Sequence, residues 1–179
     1  MSTSALIIIT SIAVVTLLLL YAIRKMRAVS PTAISQLEAP CGMVVVRYSS
    51  PRKRGRKVFG HLVPFGEVWR TGANESTTIE SSCPMVVGGT TLPAGRYALF
   101  TIPGEDKWTI IFNSRIAWWG AKLNSKAPHN PAFDAVRIEV PAETLPETTE
   151  ELSIELHNEP EPQLTLNWDR TRVTVPINR

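Results

Sequence analysis

The stretch GRYALFTIPGEDKWTIIFN, residues 95–113, consists of two runs rich in β-branched and aromatic side chains divided by Pro103-Gly104-Glu105-Asp106. Proline pre-sets the first turn angle, glycine tolerates almost any, and the acidic pair is readily solvated, so the spacing predicts a tight hairpin between strands at 96–102 and 107–113. Pro93-Ala94-Gly95 marks where the first of them begins. Outward from the hairpin the texture repeats: MVVVRYS (43–49), STTIESS (76–82), PMVVGG (84–89), AVRIEV (135–140), ELSIELH (151–157), LTLNW (164–168) and RVTVPI (172–177). Two of these alternate cleanly, with Leu152, Ile154 and Leu156 on one face and Leu164, Leu166 and Trp168 on another. Helical periodicity is missing after residue 40. The fold class that follows is all-β, a two-layer β-sandwich with the jelly-roll among its variants.

The N-terminus is of another kind. Ala5 to Ile23, ALIIITSIAVVTLLLLYAI, runs 19 positions without a charge, and a helix of that length covers about 28 Å, close to the hydrocarbon thickness of a bilayer. A cleaved signal peptide wants a basic leader, an apolar stretch of roughly 7–15 residues and a small-residue cleavage site. Here nothing basic precedes Ala5, and Arg24, Lys25 and Arg27 follow the run. The expectation is an uncleaved single-pass transmembrane helix with its basic flank over 1–27, a polar linker with two prolines over 28–40, and the β-sandwich over 41–179. Basic flanks stay on the cytoplasmic side. The sequence therefore predicts a single-pass membrane protein with its sandwich on the cytoplasmic side, the opposite side being the alternative. Cys41 and Cys83 could form one disulfide in an exported domain, but with no Cys-x-x-Cys or Cys/His ligand spacing the favoured reading is two inert thiols.

The net charge of +3 hides a split: Arg24 to Lys57 holds nine basic residues against one acid, Glu38, whereas Val58 to Arg179 holds ten against fifteen. A basic collar beside a membrane span suits anionic lipid headgroups, at about 1 kcal/mol per nearby Lys or Arg. Its densest part, SPRKRGRK (50–57), has neither interleaved aromatics nor a groove-fitting helix, so nucleic acid is not an expected partner. Arg24, Lys25, Arg27, Arg52, Lys53 and Arg54 are the candidate lipid or partner contacts. Trp118-Trp119, a pair on a loop, joins them as a candidate interface anchor or docking point.

Between the collar and the hairpin, VFGHLVPFGEVW (58–69) is broken by Gly60, Pro64 and Gly66 and predicts a folded-back loop burying Phe59, Leu62, Val63, Phe65 and Trp69. WRTGANE (69–75) then concentrates polar groups beside a tryptophan and a glycine. His61, Trp69, Arg70, Asn74 and Glu75 are the candidate ligand-binding residues, since a guanidinium near a carboxylate either pins a loop or holds an anion. No nucleophile stands beside a base, and His61 has no ligand-spaced partner, so no catalytic residue, metal or cofactor is expected.

Gly55-Arg56-Lys57-Val58-Phe59-Gly60, Leu62 to Gly66, Val68 to Glu75 with Thr77-Thr78, and LPAGRYALFTIPGEDKWTIIFN (92–113) together resemble the uncharacterised bacterial family catalogued as domain of unknown function 2911, from about Met43 to Ile177. The resemblance implies a β domain with no assigned activity, in proteins that lie behind an export or lipid-attachment signal. After Trp119-Gly120 the family carries a tyrosine-containing segment, whereas this chain has AKLNSKAPHNPAF (121–133).

Two functions are carried forward. One is a membrane-anchored accessory or structural subunit whose β domain docks on and stabilises a larger membrane protein complex, with Ala5, Ser11, Ala13 and Thr16 letting a neighbouring helix approach. The other is a membrane-tethered enzyme or small-ligand binder with a pocket around His61, Arg70, Asn74 and Glu75.

Overall fold

The computed structural model describes residues 2–39, 42–121 and 126–178. Helix α1, Thr3–Val29, takes Ser2 as its N-cap, whose hydroxyl accepts from the Ala5 amide at 3.3 Å. It buries none of its side chains on the rest of the chain, and it is long and apolar enough to cross a membrane, a property that anchors and signal sequences share. Two of its hydroxyls turn back on the backbone: Thr10 donates to the Leu6 and Ile7 carbonyls at 2.9 Å and Thr16 to the Ile12 carbonyl at 2.8 Å.

Nine strands follow: β1 Thr32–Ala39, β2 Gly42–Ser49, β3 Thr78–Ser81, β4 Met85–Val87, β5 Thr90–Leu92, β6 Gly95–Ile102, β7 Lys107–Asn113, β8 Asp134–His157 and β9 Gln163–Asn178. All pairings are antiparallel, in the order β1-β2-β3-β6-β7-β8-β9-β4-β5. The first part of β8 pairs with β7 and the rest, from Ala142, with β9. Its far half returns to the first strands, where the Leu156 amide donates to Ser35 Oγ at 2.9 Å and the Ser50 hydroxyl to the Leu152 carbonyl at 2.7 Å. The sheet thus folds over itself into the two layers of an all-β sandwich. Between them lies the main core, from Val44, Val46 and Ile79 to Ile154, Leu164 and Val173, and a separate small cluster of Ala98, Phe100 and Ile111 is covered by Val68, Ile102 and Ala127.

The expected hairpin at 95–113 forms, with Ile102 opposite Thr109, and Leu152, Ile154, Leu156, Leu164, Leu166 and Trp168 are all buried. Three expectations are corrected. The linker over 28–40 does not exist as such: Thr32–Ala39 is β1, paired with β2 along its whole length. Its polar composition is that of an edge strand, in which Ala33 and Leu37 lean on the core. The runs at 135–140 and 151–157 are one strand, β8, because Pro146 falls where pairing with β9 lapses between Thr144 and Thr149, so the missing N–H costs no ladder bond. Cys83 is disulfide-bonded rather than an inert thiol, and Cys41 lies outside the described residues.

The 58–69 loop closes one end of the sandwich through aromatics. Phe59 meets Trp108 edge-on at 4.7 Å and Trp168 at 6.1 Å, while Trp69 stacks on Trp168 at 5.8 Å. Phe59 and Val63 are buried as expected, but Leu62 and Phe65 are 40% and 37% exposed. The turn holding them is closed by its own backbone, through Val63 amide to Val58 carbonyl at 2.9 Å and Gly60 amide to Val63 carbonyl at 2.9 Å, which leaves its outer side chains in water. Ile154→Ala, at a fully buried site, is expected to cost about 2–5 kcal/mol in denaturant unfolding of the full chain in micelles. Ile34→Ala, 59% exposed on β1, should change it by less than about 0.5 kcal/mol.

Candidate functional site

The segment that decides the site is Trp69–Glu75. Thr71 and Asn74 both adopt left-handed backbone angles, φ 55° and 54°, unusual for side chains with a Cβ and most of all for a β-branched one. The surroundings hold them there. Thr71 is fully buried, its hydroxyl lies 3.2 Å from that of Thr101, and its carbonyl accepts from the Thr77 hydroxyl at 2.8 Å. Trp69 exchanges backbone hydrogen bonds with Thr101 of β6 at 2.7 and 3.0 Å. At Gly72 a side chain would collide with Thr77 Oγ1 and with the Ser49 carbonyl. Strain retained in this way marks a loop whose shape is used.

One use is visible. Asn74 is buried, and its amide nitrogen donates to the Ser30 carbonyl at 3.0 Å and the Met26 carbonyl at 3.4 Å, closing the C-terminus of α1. Beside it Glu75 Oε1 accepts from Arg27 Nε at 2.7 Å and lies 2.5 Å from Nη2. From α1 the chain needs only Ser30 and Pro31 to reach β1, and the Pro31 carbonyl accepts from the Ser50 amide at 2.8 Å. Helix and sandwich are therefore clasped by WRTGANE without slack. Trp119 bridges Glu75 through its backbone, and the Gly120 amide donates to the Asn74 carbonyl at 2.8 Å, so the tryptophan loop is seated on the clasp. Trp118, 71% exposed, projects from it.

A second use is a cleft of about 940 Å³ beside the clasp, bounded by Ser30 at the helix end, by Leu62, Val68 and Trp69, and by Arg56 and Arg70. The sequence candidates divide here. Trp69 and Arg70 line the cleft, Asn74 and Glu75 face the helix, and His61 is exposed on the 58–63 turn away from both. Arg70 is half-buried, its Nε donates to the Gly72 carbonyl at 3.3 Å, and burial pulls its pKa below the usual guanidinium value.

Of the basic candidates, Arg24 and Lys25 are exposed on the last turns of α1, but the collar loop is largely spent on the fold. Arg52 pairs with Glu151 and Lys53 with Asp169, the Arg54 amide donates to Glu150 Oε1 at 2.9 Å, and Arg56 donates to the Lys53 and Arg52 carbonyls at 2.8 Å. The acids that β8 and β9 contribute are what a run of basic residues in the sequence cannot reveal.

Sequence reasoning missed His129. It lines the cleft, its Nε2 lies 2.7 Å from Asp134 Oδ1, and Asp134 also accepts from Asn113 Nδ2 at 2.7 Å. Its ring meets Phe100 edge-on at 5.3 Å. A lone histidine in a proline-rich segment carries no spacing signal, since its partner comes from the start of β8. Among the described residues, no three His, Cys, Asp or Glu side chains gather as a metal centre would require.

A family model described as "Protein of unknown function (DUF2911)" matches residues 30–177, and the chain belongs to that family. No curated protein and no solved structure matches it. The match begins at the helix cap, so β1 is part of the family domain and α1 precedes it.

Asn74→Ala is expected to lose about 1–2 kcal/mol, as a buried hydrogen-bond donor does, and to speed hydrogen exchange at the Ser30 amide. Glu75→Gln, whose partner Arg27 is half in water, should lose no more than about 1 kcal/mol.

Proposed function

We propose that this DUF2911-family chain is a single-pass membrane-anchored accessory protein, which holds its sandwich in one pose at the bilayer surface and docks there on other subunits of a membrane complex. The observation that carries the reading is the clasp: Asn74 on the helix carbonyls, Glu75 on Arg27, and two residues between helix and strand. A helix removed after export has no need of a buried asparagine to close its end. Every face of α1 is left open by the chain itself, for lipid or for neighbouring helices. The exposed Trp118 stands beside the clasp, at the level where aromatic side chains favour the membrane interface or anchor a partner.

Two features bear on the side. Arg24, Lys25 and Arg27 bias the sandwich toward the cytoplasm. The disulfide at Cys83 favours an oxidising compartment. We give the bond more weight, because a charge bias is a preference at insertion whereas a disulfide in reducing cytosol is rarely maintained. The proposed location is the bacterial inner membrane with the sandwich in the periplasm.

Extraction in a mild detergent through a C-terminal tag is expected to return the chain in an assembly larger than its monomer on native gels; monomer alone, from cells where it is expressed at its natural level, contradicts the docking role. In intact cells, Cys83 is expected to resist a thiol-reactive probe that crosses membranes until reductant is added. Immediate labelling would return the sandwich to the cytoplasm.

A further inference from the structure

The strained loop that grips the helix leaves one of its polar side chains unanswered. Asn74 and Glu75 are committed to α1. Arg70, between them and Trp69, has five N–H donors and one hydrogen bond, to the Gly72 carbonyl of its own loop, with no ion pair among the described residues. A guanidinium drawn partly out of water needs a counter-charge; Glu75 is turned to Arg27, and Glu67, the acid nearest in the sequence, lines the same cleft but makes no ion pair with Arg70 among the described residues.

The side chain is also held in place. Gly120 lies over its stem so closely that a Cβ there would come 2.7 Å from Arg70 Cδ and 3.0 Å from the Asn74 and Glu75 carbonyls. The head is thus presented to the cleft by a close backbone approach. Arg56 lines the same cleft with one carboxylate, Glu67, while Leu62, Val68 and Trp69 supply an apolar wall. Positive charge beside an apolar wall suits an anion carried on an apolar body.

The place of the cleft narrows the source. Val29 and Ser30 form part of its rim, and Val29 lies six residues past Ile23, the last of the uncharged run, or about 9 Å along a helix axis. The polar layer of a bilayer leaflet is about 5–8 Å deep, so headgroups come within reach of the rim.

We propose that the cleft binds a phosphate-bearing ligand with Arg70 as the anion-holding residue, and that an anionic phospholipid headgroup supplies the phosphate. The lipid source rests on the anchor reading above; the phosphate site does not.

The test uses the full chain in nanodiscs of phosphatidylcholine alone, the same nanodiscs with glycerol phosphate added, and nanodiscs containing phosphatidylglycerol, with thermal unfolding followed by tryptophan fluorescence. Phosphatidylglycerol is expected to raise the unfolding temperature by about 3–6 °C, as a ligand well above its dissociation constant does. Arg70→Gln should remove most of that rise and Arg70→Lys restore part of it. A rise with glycerol phosphate as well supports the site and makes the headgroup alone sufficient; a rise with phosphatidylglycerol only ties the site to the bilayer. No rise in either arm, or a rise that Arg70→Gln leaves intact, overturns the proposal. Should Arg70→Gln fail to fold, Leu62→Glu places an acid on the exposed wall instead, and a full rise in that variant overturns it equally.

Discussion

Two residues, Ser30 and Pro31, separate α1 from β1, and that short connection sets the terms for the rest of the molecule. A helix joined to an edge strand by so little chain cannot place the sandwich far from its own end. What fixes the orientation is the hydrogen bonding around the joint: the Ser30 and Met26 carbonyls taken by Asn74, the Pro31 carbonyl by the Ser50 amide, and the Arg27 side chain by Glu75. Each of these bonds is modest in water. Together they answer two carbonyls at the helix end, those of Met26 and Ser30, with groups drawn from a loop already rigid for other reasons.

That rigidity comes from the core. Trp69 is stacked on Trp168 and bonded to Thr101, so the loop begins on the aromatic cluster and on β6. Thr71 is sealed beneath it with its left-handed backbone, and Gly120 comes down over it from the tryptophan loop. The apolar burial of the sandwich thus holds WRTGANE in a shape it would not adopt alone, and the polar side chains of that shape point two ways, to the helix end and to the cleft. Arg70 in the cleft and Asn74 on the helix are four residues apart in the same loop. A ligand on the first is mechanically close to the seat of the second.

The sandwich was legible because its signals are local. The 95–113 hairpin announces itself by turn chemistry and the buried faces of β8 and β9 by alternation. β1 was hidden, since an edge strand with one half-committed face has the composition of a linker. The continuity of β8 was hidden by Pro146, which reads as a break until a lapse in the ladder accommodates it. Of the candidate site, the sequence grouped residues of the 69–75 heptapeptide that the fold divides. Arg70, Asn74 and Glu75 share a loop but face different neighbours, and His61 belongs to neither. The basic collar looked free because the acids that neutralise Arg52 and Lys53, Glu151 and Asp169, lie about a hundred residues away in the sequence. His129 needed Asp134, five residues on in the sequence, and Phe100, which the fold brings beside it from β6, to be noticed.

The pose of the sandwich at the helix end depends on the stiffness of the joint between them. The most direct measurement is the distance distribution between spin labels at position 21 of α1 and position 105 of the β6–β7 turn, in the full chain reconstituted in nanodiscs. A single narrow distance is predicted. A broad distribution, of the width expected for a domain swinging on a tether, contradicts it.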